Sequence, residues 1–385
     1  MMQRTEHTNN APRFANKPVL VFWETTKACP LACKHCRASA IHDPLPGELN
    51  TQEGYALIDS VAGFGTPAPV LILTGGDPMV RSDIFQLMGH AMDKGVKFAV
   101  SPAVSPSLDS EKLTRLRDAG ATSISVSLDG ACSETHDRIR NVAGTFDNTM
   151  RVIREANAIG LAIQVNTTVM KSNIREMASI FHLIKSMGVK TWEVFFLIKV
   201  GRGSEVEEIT PQESEGVCNF LYDSSMCGMT VRTVEAPFIR RVAAMRRSAG
   251  MYHDDVYTGL RDELSALGYR AHWPSSIASM GTLDGDGILF VAHDGSIYPG
   301  GFLPLKLGDS RSGNIVEVYR ENETLKGIRN RSINGSCGAC VYKQTCGGSR
   351  ARSFASSSDP LGSDTACAYA YSDLHSLYGQ QCDDK

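Results

Sequence analysis

The chain of 385 residues predicts an α/β fold built on a mostly parallel sheet. Three observations lead there. Short apolar runs alternate with amphipathic stretches from residue 18 to about 235. The runs are apolar throughout, as strands covered on both faces are. Polar caps open the stretches between them and glycines close them. The expected strands are 19–24, 70–74, 97–101, 123–128, 161–169 and 191–198. The expected helices are 51–61, 81–94, 110–119, 145–159 and 174–187. Asn50 and Asp109 stand where N-caps belong, and Gly95, Gly120, Gly160 and Gly188 where helices end in the left-handed conformation. Repeated strand–helix units imply parallel strands joined by right-handed crossovers. Six such units fit an open, TIM-like (β/α)6 barrel; a doubly wound sheet fits the same pattern.

The remainder has a different rhythm. Residues 1–16 are polar and read as a disordered leader, so the barrel is expected over 17–235. A bridging region, 236–285, is helical or irregular and carries Arg240, Arg241, Arg246 and Arg247. From 286 to 385 a small α+β unit is expected. It opens with a hairpin, Ile288–Ala292 and Ser296–Pro299 around an Asp294-Gly295 turn. With 42% hydrophobic and 21% charged residues the chain should fold as a globular protein, and a net charge of −3 gives no electrostatic case for nucleic acid. No apolar run reaches the ~18 residues of a membrane span, and no signal-peptide core is visible. A cytoplasmic location is expected, where the 11 cysteines stay reduced and metal binding is favoured over disulfides.

Cys29, Cys33 and Cys36 are spaced C-x3-C-x2-C. The spacing is too tight for three disulfide partners, and no His pair completes a zinc finger. Three thiolates can hold three irons of a 4Fe–4S cluster and leave the fourth open, which marks a reactive centre rather than a structural one. Cys337, Cys340, Cys346 and Cys367 form a second set, C-x2-C-x5-C-x20-C, for which zinc and an iron–sulfur cluster both fit. Gly75, Gly76, Asp77 and Pro78 follow the second expected strand; in α/β barrels such strand-end turns contact ligands, and glycines permit close backbone approach. An ordinary strand-to-helix turn is the other reading.

These motifs, with Cys346-Gly-Gly-Ser-Arg-Ala-Arg-Ser-Phe354 and Asp364-Thr-Ala-Cys367, resemble radical S-adenosylmethionine (AdoMet) enzymes with a C-terminal SPASM or twitch-type auxiliary-cluster domain. The resemblance is strongest to the branch of the haem-d1 biosynthesis and alternative haem pathway enzymes. It implies two 4Fe–4S clusters, the first binding AdoMet through its open iron, and the second held by the four tail cysteines. It implies AdoMet cleavage to a 5′-deoxyadenosyl radical, hydrogen abstraction from a substrate C–H, and an external electron donor such as flavodoxin or ferredoxin. The substrate implied is a tetrapyrrole side chain. Maturation of a ribosomal peptide and a non-catalytic iron–sulfur electron carrier are the alternatives. Two departures stand out: Asp77 replaces the commoner Glu, and Gly300-Gly301 occupies the place where the pattern usually carries a cysteine.

By the same resemblance Ser101, Ser127 and Asn166 contact the ribose or carboxylate of AdoMet, although a satisfied polar residue in a barrel mouth is the alternative for each. Arg140, Arg240 and Arg241 are candidates to clamp substrate carboxylates, against structural salt bridges or a solvated helix face. His35 is expected to pack against the cluster or AdoMet rather than to ligate. Tyr257, Tyr269, Tyr298 and Tyr342 are unranked proton-donor candidates. Cys132, Cys218, Cys227 and Cys382 are expected to be lone thiols.

Overall fold

Strand order decides between the two architectures. In the computed structural model, which describes residues 12–278, 281–370 and 378, strands β1 (Leu20–Glu24), β2 (Val70–Thr74), β3 (Phe98–Val100), β4 (Ile124–Ser127), β5 (Ile163–Val169), β6 (Thr191–Phe196) and β7 (Thr230–Val234) lie side by side in chain order. Every pair among them is parallel. A doubly wound sheet would reverse direction at a switch point. Sequential order keeps right-handed crossovers on one face and curls the sheet into a partial barrel.

The helices between these strands are α1 (Thr51–Ala62), α2 (Ile84–Asp93), α3 (Ser110–Asp118), α4 (Ser133–Arg140), α5 (Thr145–Ala158), α6 (Met177–Ser186) and α7 (Pro211–Ser225). Asn50 and Glu53 cap α1 reciprocally, and the Asp109 carboxylate receives the Lys112 N–H at the start of α3. The four expected closing glycines all take positive φ. The second expected helix starts later than its pattern indicated. Pro78–Val80 form a short 3-10 turn first, and the Arg81 guanidinium is bonded to Asp83 and to the carbonyls of Thr25 and Leu49. Similarly, Ile174–Glu176 form a 3-10 turn before α6.

Three elements escaped the periodic reading. Helix α4 is polar (SETHDRIR) and buries only Thr135, His136 and Ile139. Strand β7 is five residues with an exposed Arg232 at its centre. Helix α7 buries nearly all its circumference, which hides the amphipathic period, but its reciprocal cap of Thr210 with Glu213 is a signal that was legible.

Helices α8 (Ile239–Ala249) and α9 (Asp255–Ala266) fill the bridging region. The sheet then resumes. Strands β8 (Leu283–Asp284), β9 (Gly287–Val291), β10 (Ser296–Tyr298) and β11 (Gly308–Asp309) extend it from the β1 edge, with β9 parallel to β1 and β10 antiparallel to β9. The C-terminal unit therefore shares its sheet with the barrel, because the free edge of β1 offers a complete row of backbone partners. Helices α10 (Ile315–Glu321), α11 (Glu323–Arg329), α12 (Gly335–Ala339) and α13 (Arg350–Ser357) follow.

The expected leader lies outside the described residues up to residue 11. Residues 12–16 are held in place, because the Tyr319 hydroxyl donates to the Phe14 carbonyl (2.8 Å) and Arg320 to that of Asn16 (2.9 Å). Cys382 also lies outside the described residues. Among them no helix is long and apolar enough to cross a membrane.

Candidate active site and cysteine clusters

The cysteine loop after β1 is clasped by two other strand-end loops. The Gly76 N–H donates to Thr26 (2.7 Å) and the Asp77 N–H to Ala28 (2.7 Å). This approach requires glycines: a Cβ on Gly76 would stand 2.2 Å from the Ala28 carbonyl oxygen, and one on Gly75 2.5 Å from that of Thr26. From the loop after β6, the Arg202 N–H donates to Cys36 (3.1 Å), and its guanidinium donates to the carbonyls of Cys33 (2.8 Å) and Ala40 (2.7 Å). Sequence reasoning missed this second clasp; Gly201, whose Cβ would meet the Arg37 carbonyl oxygen at 2.2 Å, was its only trace.

The loop faces a cavity of about 1040 Å³ on the inner side of the barrel. That is the upper end of the ~300–1,000 Å³ of small-molecule sites. Cys29, Cys33, Cys36, His35, Gly75, Gly76, Ser101, Ser127, Asn166, Arg140 and Arg240 all line it. Ser101 bonds to Ser125 (2.6 Å), while Gln164 donates to both Asn166 (2.8 Å) and Glu193 (2.9 Å), so these polar groups form a band across β3 to β6.

Other sequence candidates do not reach it. Asp77 and Pro78 are buried away from the cavity; the Asp77 carboxylate caps the Met79 N–H (3.0 Å) and receives the Ala103 N–H (3.2 Å). Arg241 is also absent from the wall, because it is locked to Glu215 and sits beside the tail cysteines. The expectation of a substrate clamp at Arg241 is thus corrected: its charge is already matched inside the protein. Arg140 lines the cavity but is paired with the buried Asp129 (2.6 Å) and points a second donor at Cys33 Sγ (3.5 Å). None of the four candidate tyrosines lines the cavity. His35 does, as a neutral imidazole: burial pushes it down to about 4, against the pull of Asp129.

Sulfur environments separate the cysteines. Amide N–H groups of Leu31, Ala40, Tyr342, Gly348 and Asp364 point at the sulfurs of Cys29, Cys36, Cys340, Cys346 and Cys337, at 3.3–3.4 Å. Guanidinium groups approach the other two, Arg140 at Cys33 and Arg241 at Cys367 (3.8 Å). Seven sulfurs are therefore placed as acceptors, the arrangement of iron-bound thiolates. Cys132 and Cys227 do the opposite, donating to oxygens. Burial pushes Cys29 and Cys346 up to about 12, so a bound cation is what would ionise them. Buried donors without partners surround both sets: Arg140 Nε and Arg202 Nη2 at the first, Arg241 Nε and Arg350 Nη2 at the second. The four tail cysteines converge on one small pocket with Arg241. The residues present thus fit an anionic metal cluster at each place. Among the described residues no three side chains are grouped as a single-ion site requires.

Comparison with known proteins agrees with this geometry. Residues 23–184 match the Radical SAM superfamily. The chain is 35% identical over 354 residues to the AdoMet-dependent heme synthase of Oleidesulfovibrio alaskensis, covering 91% of this chain and 87% of that one. It is 30% identical to the Fe-coproporphyrin III synthase of Methanosarcina barkeri, covering 91% and 88%. Among solved structures, anSMEcpe with bound AdoMet and the Cp18Cys peptide superposes with a TM-score of 0.67 at 17% identity, covering 94% of this chain and 97% of that one. A three-cysteine loop clasped over a large barrel cavity, together with these relatives, identifies the chain as an enzyme that uses a 4Fe–4S cluster and AdoMet: it belongs to the radical SAM superfamily.

Proposed function

We propose that this enzyme modifies an iron tetrapyrrole, as its similarity to AdoMet-dependent heme synthases suggests, and that it does so by removing carboxyl groups from propionate side chains to leave vinyl groups. One observation carries the substrate class. Arg202, Arg240 and Arg350 line the cavity, and their guanidinium groups donate only to backbone carbonyls. None is within ion-pair distance of a carboxylate among the described residues. Meanwhile burial raises the cavity acids Glu193, Glu235 and Asp284 toward their neutral forms. Arg202 and Arg350 also lie against the two cysteine sets, which leaves Arg240 as the cation for a ligand carboxylate in a wall whose acids oppose it little, and this suits an anionic ligand.

Cys29, Cys33 and Cys36 would hold the first cluster, with AdoMet's polar end against Gly75 and Gly76 and its ribose along the band of Ser101, Ser127 and Asn166. When bound, this pair of cofactors supplies a 5′-deoxyadenosyl radical that abstracts a hydrogen atom. The barrel wall and the β9–β10 hairpin exclude water from that step. Arg140 and Arg202 balance negative charge at the cysteine loop, and Arg240 holds a propionate. Cys337, Cys340, Cys346 and Cys367 would hold an auxiliary cluster as a one-electron acceptor. Conversion of –CH2–CH2–COO− to –CH=CH2 releases CO2, one hydrogen atom and one electron. An external flavodoxin- or ferredoxin-like donor would supply the electron that starts each turnover. A reducing cytoplasm suits both clusters.

The test is anaerobic turnover of the reconstituted enzyme with AdoMet, reductant and iron coproporphyrin III, followed by mass spectrometry. Loss of the elements of formic acid at a propionate, with 5′-deoxyadenosine formed alongside, is expected. Cys346→Ala should lower iron content and stop product while leaving some AdoMet cleavage. An unchanged tetrapyrrole in the wild-type reaction, with AdoMet cleaved only when a peptide is added, overturns the proposal.

A further inference from the structure

An aromatic contact joins the two ends of the curled sheet. Strand β6 is next to last at one end, and β10 lies two places beyond β1 toward the other. After β10 the chain makes a tight turn over residues 300–303, closed by the Leu303 N–H donating to the Gly300 carbonyl (3.3 Å). Phe302 in that turn meets Phe195 of β6, with ring centroids 6.1 Å apart and planes inclined at 53°. Both rings line the cavity and both stay half-buried. Neither has a part in the chemistry proposed for the cavity so far.

Local structure fixes both rings in place. Side chains alternate along β6, so Phe195 shares the inner face with Glu193. The next ring, Phe196, is buried and packs edge-on against Phe238 (5.8 Å, 84°). In the turn, two glycines let the backbone pass where side chains do not fit. A Cβ on Gly300 would fall 1.8 Å from Asp284 Oδ1, and one on Gly301 would stand 3.3 Å from the Phe290 ring. The Pro299 carbonyl accepts from the Gly285 N–H (2.8 Å) on one side of the turn, and on the other Leu303 is fully buried in a cluster with Ile198 and Ile328. Phe302 is therefore held from both flanks while its ring stays open to the cavity. Aromatic surface left open in a deep cavity is what a flat, apolar ligand covers.

A tetrapyrrole has carboxylates at its rim and a conjugated macrocycle at its centre. We propose that Phe195 and Phe302 form a shelf for the face of the macrocycle, and so make the cavity select a planar conjugated ring rather than carboxylates alone. The inference rests on the tetrapyrrole reading and adds the residues that recognise the ring, where Arg240 answers only to the rim. A flat π-system packs offset on one aromatic plane and against the edge of another, and the inclined pair offers both. A puckered ring with the same carboxylates loses that contact. Because one ring belongs to the barrel and the other to the C-terminal unit, a ligand on the shelf touches both.

The experiment compares two ligands on the reconstituted enzyme under anaerobic conditions. Iron coproporphyrin III is titrated by its Soret absorption, and coproporphyrinogen III, which carries the same propionates on a puckered, unconjugated ring, competes against it. The wild type should prefer the planar ligand. Phe302→Leu and Phe195→Leu keep apolar bulk but remove the ring, and each should lower that preference by about tenfold, the scale of an aromatic contact together with its buried area. Phe302→Tyr should keep it. Iron content and circular dichroism identify a variant that has not folded, and the two leucine substitutions lie in different elements, so one failure leaves the other to decide. A preference unchanged in the leucine variants, equal weakening of both ligands, or a Tyr variant no better than Leu overturns the inference and leaves the tetrapyrrole reading standing. Failure of the wild type to bind iron coproporphyrin III overturns the tetrapyrrole reading and this inference with it.

Discussion

The ion pair of Glu215 and Arg241 joins α7 to α8 and abuts the tail cysteines, and its removal one partner at a time gives a sharp expectation. The pair is bidentate, with Nη1 to Oε1 at 2.7 Å and Nη2 to Oε2 at 2.5 Å, and its side chains are 1% and 0% exposed. Tyr378 donates to the same Glu215 oxygen (2.6 Å). Unit charges about 4 Å apart attract by ~4 kcal/mol at an effective dielectric of about 20. Desolvation of both ions offsets much of that, so the pair as a whole stabilises little. Breaking it is different. Glu215→Gln leaves a buried guanidinium unmatched and should destabilise by about 3–5 kcal/mol. Arg241→Met should do the same, and the double variant Glu215→Leu/Arg241→Met should recover most of the loss. Anaerobic guanidinium denaturation followed by circular dichroism measures all three against wild type. Because Arg241 also approaches Cys367, the single variants should lose whatever iron the tail cysteines hold on the proposed reading before losing iron at the cysteine loop. Single variants within about 1 kcal/mol of wild type, the range of an exposed pair, would refute the reasoning. So would a double variant no better than the worse single.

Two other perturbations probe the cysteine loop. Gly76→Ala places a Cβ 2.2 Å from the Ala28 carbonyl oxygen, so the loops must part; reconstituted protein should show weakened AdoMet binding by equilibrium dialysis and reduced iron at the first site, while Gly89→Ala, with no atom near its Cβ, should change neither. The second concerns Glu24, which joins Arg37 of the cysteine loop to His293 of the hairpin turn (2.6 and 2.8 Å). Burial opposes its ionisation, but Arg37 and His293 outweigh it and hold the carboxyl down at about 2. Against the ordinary value of 4.5 this corresponds to ~3 kcal/mol of stability, present above pH 4.5 and lost as pH falls toward 2. Glu24→Gln should therefore be less stable than wild type near neutrality, and the gap in urea midpoint should close on acidification; a gap constant with pH would show that Glu24 is not held by these partners.

Much of the site was legible because its signals are local. The spacing of Cys29, Cys33 and Cys36 is a property of one loop, and so is the Gly75-Gly76 turn that the structure presses against it. Arg202 was not legible, since nothing near it in sequence says that it will reach the carbonyls of Cys33 and Ala40. The arginines divide for the same reason. Arg240 and Arg241 are neighbours in one basic run, yet helical rotation sends one to the cavity and the other to Glu215. Asp77 looked like a ligand contact by position, but its side chain closes the 3-10 turn of its own loop.

The sequence by itself determined the parallel α/β architecture, the two cysteine sets and the order in which they come, because apolar period, caps and ligand spacing act over a few residues. Only the tertiary structure decided that the sheet continues past β1 into β9, that all seven sulfurs face N–H donors, and that Glu215 meets Arg241. Each of those depends on groups brought together from segments far apart in the chain, where burial and mutual charge, rather than local propensity, set what a side chain does.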